Sequence, residues 1–119
     1  MNYKIVFDKI YEDIKVKYTI VIPVFNQQKI IIKNINSIIS NTLGDYEIII
    51  INDYSNDKTL ELLKNFFVNF EPIYSNFKRI RIIDTYWPLF ETRCDNIGFK
   101  LSKAKFVLEI QADMKMLIK

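Results

Sequence analysis

Polar and acidic side chains close short apolar runs at three places in the chain. Asn26 follows Pro23-Val24-Phe25, Asn52-Asp53 opens the run to Thr59, and Gln111-Ala112-Asp113 ends another. There is no histidine, which excludes Ser-His-Asp and Cys-His catalysis and every histidine metal site, so acid–base work falls to carboxylates. A carboxylate at a strand end can accept a ring N–H, such as N3–H of uracil, and so read a base without a glycine loop. Asp53 suits that task. A divalent cation needs only one or two protein carboxylates when phosphate oxygens complete its shell, which suits Asp113. The two glycines, Gly44 and Gly98, form neither a G-x-G-x-x-G nor a Walker A loop, which argues against a dinucleotide enzyme or a P-loop NTPase.

The elements that must position these residues are legible as periodicity. Tyr18–Pro23, Tyr46–Asn52, Ile80–Asp84 and Lys105–Gln111 are short and nearly all apolar, the pattern of parallel strands buried on both faces. Between them lie helical stripes: Ile31, Ile35, Ile38 and Ile39; then Leu60, Leu63, Phe67 and Phe70, with Asp57 as N-cap; then Cys94, Ile97, Gly98 and Leu101. The alternation predicts an open α/β sheet of about four strands, mostly parallel, in a Rossmann-like three-layer α/β/α arrangement. Ligands of such sheets bind beyond the carboxyl ends of the strands, where the three polar segments collect. Tyr3–Phe7 reads as an edge strand and Ile10 and Ile14 as the start of a helix, within an N-terminal extension of residues 1–17 that receives no function.

The 119 residues suffice for one domain, half of them hydrophobic. A net charge of +3 with scattered lysines gives no basis for nucleic-acid binding. The single cysteine, Cys94, reads as a small core residue and, with no apolar stretch of signal or bilayer length, implies an intracellular, cytoplasmic chain without a transmembrane segment.

The motifs together resemble the family-2 glycosyltransferases of GT-A fold. Ile22–Asn26 is similar to their opening I-P-x-Y-N element, and Ile51–Thr59 (INDYSNDKT) to V-D-D-G-S-x-D-x-T. Asn96-Ile97-Gly98-Phe99 with Lys103–Phe106 is similar to R-N-x-G … A-x-G-x-Y, and Gln111–Asp113 falls at the D-x-D. Order and spacing agree over roughly residues 18–116. The resemblance implies that residues 18–119 form the nucleotide-sugar-binding half of such a domain. Pro23, Phe25, Asn26, Asn52, Asp53, Arg93, Asn96 and Gln111 would bind the nucleotide, with UDP as its expected form, and Asp113 would hold Mg²⁺ or Mn²⁺. Departures are Asn52 and Gln111 in place of acids, Asp95 in place of arginine, and Tyr54 in place of a turn glycine.

Each position also has a purely structural reading. Asp53 can cap a turn, Asp113 can be a loop acid, Arg93 can sit on a solvated helix face, and Trp87-Pro88 can anchor a loop. A strand-end Asp53 facing a cleft is expected to add little to stability. The family places its acceptor pocket and catalytic base after the D-x-D, where only Met114–Lys119 follow here. The chain by itself is therefore expected to transfer no sugar, to contain no catalytic residue, and to leave apolar surface that favours self-association or the missing half. The alternative is a non-catalytic nucleotide-sugar-binding remnant or interaction module. A signalling receiver ranks last, because Asp53 lacks a second acidic cluster.

Overall fold

A computed structural model describes residues 2–12, 15–102 and 104–112. In chain order the elements are β1 (Tyr3–Ile10), β2 (Tyr18–Val24), α1 (Ile31–Asn41), β3 (Tyr46–Asn52), α2 (Thr59–Asn69), β4 (Phe77–Thr85), α3 (Phe90–Leu101) and β5 (Phe106–Glu109). They form one sheet in the order β1-β4-β3-β2-β5. The pairs β2–β3, β2–β5 and β3–β4 are parallel, and β1 runs antiparallel to β4. The sheet thus has five strands rather than four.

Both faces of the sheet are covered, as the apolar strands require. On one face α1 and α2 pack Ile31, Ile35, Ile38, Leu63 and Phe67 against Ile20, Ile22, Ile48, Ile50, Ile80 and Ile82. On the other, α3 packs Leu89 and Cys94 against Val21, Ile49, Ile51 and Ile83. β3, in the middle, is buried along its whole length. α3 lies close to β2: a Cβ on Gly98 would stand 2.4 Å from Val21 Cγ1. Beyond this contact the α3 face becomes ionic. The buried Arg81 guanidinium donates to Glu47 at 2.8 Å, Thr19 donates to the other Glu47 oxygen at 2.8 Å, and Ser102 donates to Thr19 at 2.7 Å. This chain of bonds ties the carboxyl end of α3 to β2, β3 and β4.

The structure moves several boundaries. β1 continues past Phe7, and Ile10 is its last residue rather than a helix start; Ile14 lies outside the described residues. The charges that obscured this strand are paired across the edge, Asp8 with Arg79 on β4 through two bonds of 2.9 and 2.7 Å. For the same reason β4 begins at Phe77, three residues before its apolar run. β5 stops at Glu109, although Ile110 N–H still donates to Val21 at 3.0 Å. α2 starts at Thr59 with Lys58 as its cap residue. Asp57 nonetheless accepts from the Thr59 N–H and hydroxyl, at 2.9 and 2.6 Å.

Candidate functional site

The strand order reverses beside β2: β3 and β4 lie to one side of it and β5 to the other. That reversal opens a crevice at the carboxyl ends of β2 and β5, the place where doubly wound sheets bind ligands. A cleft of about 250 Å³ lies there, lined by Pro23, Val24, Phe25, Gln27, Asp53, Glu91, Cys94, Gln111 and Ala112. A larger hollow of about 520 Å³ lies at the opposite end of the sheet, between Thr42–Gly44 and Tyr74–Asn76. It contains no acid and nothing from a strand's carboxyl end, so the smaller cleft is the better candidate.

The loops around the cleft are tied by side chains that replace missing secondary-structure bonds. Asn26, in the left-handed region at φ 49°, accepts from Asn56 N–H at 2.9 Å, while its own N–H donates to Ser55 at 3.0 Å. Ser55 donates to Asn52 at 2.6 Å, and Asn52 donates to Asp84 at 2.9 Å. Gln27 N–H donates to Thr59, and Gln28 accepts from Lys58 N–H. The β2–α1 and β3–α2 loops therefore form one rigid rim. Partial burial pushes the Asp57 carboxyl up, but hydrogen bonds from Thr59 and Gln28 outweigh it and hold that carboxyl below the usual range.

Asp53 is more deeply engaged than a ligand-facing acid need be. It is buried, and its carboxylate accepts from Leu89 N–H at 2.7 Å, Phe90 N–H at 2.7 Å and the Thr85 hydroxyl at 3.2 Å. It thereby caps α3, whose first residue, Phe90, is held at φ 67°. These bonds run against the expectation that Asp53 adds little to stability. Cys94 lies beside it, and burial, followed by the Asp53 charge, pushes its thiol up to about 12. Such a thiol is inert.

Of the residues singled out from sequence, Pro23, Phe25, Asp53 and Gln111 meet in the cleft. Asn26 and Asn52 brace its rim. Arg93 and Asn96 are exposed on α3 and do not line it. Asp113 lies outside the described residues. Gln111 donates to Glu91 at 2.8 Å across the cleft mouth, and the buried Asn34 of α1 donates to the Ala112 carbonyl at 2.8 Å, so the chain after β5 is fastened from both faces.

The family profile described as glycosyl transferase family 2 matches residues 19–117. The chain belongs to this family. It is 30% identical to the poly(ribitol-phosphate) beta-N-acetylglucosaminyltransferase TarP of Staphylococcus aureus, over 82% of its own length and 28% of TarP. The chain thus spans little more than a quarter of that relative. Among solved structures, S. aureus TarS 1–349 in complex with UDP-GlcNAc is similar at a TM-score of 0.67 and 19% identity, covering 82% of this chain and 26% of that one. The mannosyltransferase PcManGT of Pyrobaculum calidifontis, in complex with GDP-Man and Mn²⁺, is similar at 0.72 and 13% identity, covering 85% and 28%. The fold is that of the GT-A glycosyltransferases.

Within this glycosyltransferase domain, Gln27, Glu91, Cys94 and Ala112 line the cleft without having been read as binding residues from the sequence. Glu91 carried one readable signal, an acid in the first turn of a helix that follows a strand end. Among the described residues no group of three or more acids or cysteines is placed to hold a metal ion. Gln111 adds no charge there, so the described residues do not by themselves fit a divalent cation. Among them no helix is long and apolar enough to cross a membrane.

Proposed function

We propose that this domain binds a nucleoside-diphosphate sugar, with UDP as its nucleotide, in the cleft between the ends of β2 and β5, as the donor-binding part of an inverting glycosyltransferase. The observation that carries the reading is the position of Asp53 and Gln111 at the topological switch point of a family-2 domain. Phe25 is half exposed at the lip, where a base can stack on it. Asp53 offers its remaining lone-pair capacity to a base N–H. The cleft volume lies below the ~300–1,000 Å³ of typical ligand pockets, so the sugar extends beyond it, toward walls the described residues do not supply. A divalent cation, Mg²⁺ or Mn²⁺, rests in this reading on Asp113. The exposed Phe106 and Leu108 of β5 offer apolar surface to a second copy or to further chain.

Thermal unfolding in the presence of UDP, GDP, CDP and TDP, each with and without Mn²⁺, tests the proposal. UDP with Mn²⁺ is expected to stabilise most; ligand at a hundred times its Kd adds about 2.7 kcal/mol. Equal, negligible shifts for all four nucleotides would remove the nucleotide reading and leave an interaction module. A UDP shift indifferent to Mn²⁺ would remove Asp113 alone.

A further inference from the structure

On β5, Val107 packs into the α3 core, so Glu109, two residues on, faces the same side. Glu109 is paired in register with Val21 of β2, and Val21 lies under Gly98 of α3. Asp95 precedes Gly98 by three residues and so shares its side of the helix. Both carboxyl groups are thereby brought to this corner. One oxygen of each, Asp95 Oδ1 and Glu109 Oε1, is buried without a partner. A hydrogen bond between two carboxyl groups requires a proton, because ionised carboxylates only accept.

We propose that Asp95 and Glu109 share one proton that fastens β5 to α3, and that its loss at rising pH loosens β5 together with the Gln111 side of the cleft. The charges that bear on Asp95 among the described residues are acidic. Glu91 approaches from the first turn of α3, β2 presents the apolar Val21, and Asp53 is turned to the start of α3 and to Cys94. Among the described residues the salt bridges include neither carboxylate. Burial first, then the charges of Glu109 and Glu91, raise the Asp95 carboxyl to about 6. A group raised in the folded state adds stability that is complete below its unfolded value, near 4, and is lost as pH rises through about 6. β5 is vulnerable to that loss because, among the described residues, β2 alone pairs with it, and Gln111 and Ala112 follow it directly into the cleft.

The test is thermal unfolding of the whole chain from pH 4.5 to 7.5, for the wild type, Asp95→Asn and Glu109→Gln. Each variant replaces the shared proton by an amide, so each is expected to melt about 3–5 °C above wild type at pH 7.5, with the gap closing toward pH 4.5. Hydrogen exchange corrected for intrinsic rates is expected to show Ile110 N–H less protected at pH 7.5 than at 5.5 in wild type and unchanged in Asp95→Asn. A gap independent of pH, a variant that melts lower or fails to fold at pH 7.5, or equal Ile110 protection at both pH values would overturn the proposal. So would a Mn²⁺-dependent rise in wild-type melting that Asp95→Asn abolishes, since the pair would then be a cation site.

Discussion

The two faces of the sheet are held by different forces. Under α1 and α2 the contact is apolar, with Phe67 and Phe77 meeting edge to face at 6.4 Å and Tyr46 stacked on Phe77 at 5.0 Å. Under α3 a narrow apolar strip is flanked by the buried Glu47–Arg81 pair on one side and by the Asp95–Glu109 carboxyls on the other. An apolar contact fails in proportion to the atoms removed, whereas a buried ionic contact fails when one partner is lost and tolerates losing both. The cleft borders both faces. Its rim on the α1 and α2 side is fixed by amides and hydroxyls together with Asp57 and Asp84, which only accept there, and its α3 side is set by Asp53 and Glu91.

The largest expected effect breaks that comparison directly. Phe67→Ala and Glu47→Ala are each expected to cost about 3–5 kcal/mol, read from denaturant midpoints. Adding Arg81→Met to Glu47→Leu is expected to bring stability back near wild type. No second substitution of that kind exists for Phe67. If the double variant is as damaged as Glu47→Ala, the α3 face is not governed by charge balance.

Asp53→Ala comes next, at about 3 kcal/mol, because two N–H groups and a hydroxyl lose their acceptor and each buried orphan costs about 1–3 kcal/mol less whatever water recovers. Guanidinium unfolding measures the cost, and faster exchange at Leu89 and Phe90 N–H places it at the start of α3. A variant as stable as wild type would return Asp53 to a purely ligand-facing role. Gly98→Ala is expected to cost about 2 kcal/mol by forcing α3 off Val21. The same substitution at Ser40, exposed on α1, is expected to be near neutral in the same unfolding assay.

Asp57→Ala is the smallest, about 1 kcal/mol at neutral pH. The Asp57 carboxyl is held below its ordinary value, so its contribution is present above pH ~4 and disappears as pH falls through the lowered value. Wild type and variant should therefore converge in acid, as they should for Asp95→Asn, but with the opposite sign at neutral pH: the Asp57 variant is there the less stable of its pair and the Asp95 variant the more stable.

The buried parallel strands were legible because Ile48–Ile51 and Tyr18–Pro23 cannot face water on either side. Tyr3–Phe7 was legible as an edge strand, but its continuation to Ile10 and the start of β4 were not, because Asp8 and Arg79 read as surface until their pairing across β1 and β4 is known. The cleft was legible where chain order and topology coincide, at Pro23, Phe25, Asp53 and Gln111. What Asp53 binds within the fold was not, since its partners Leu89 and Phe90 are backbone groups more than thirty residues away and have no sequence signature. Arg93 and Asn96 are three residues apart and so share a helix face, but periodicity does not say which side of α3 that face turns to; Cys94, between them, points inward.

The edge pairing also has a history in time. Tyr3 opposes Thr85, so β1 leaves a ribosome well before β4, the strand it pairs with. At about 5–20 residues per second the roughly 80 intervening residues take some seconds to appear. For that interval β1 is a strand without a neighbour, open to pairing with a strand of another nascent chain. Lys4, Asp8 and Lys9 place charge along it, the usual defence of an unpaired edge. The same Asp8 that discourages a wrong partner during synthesis then clasps Arg79 when the right one arrives.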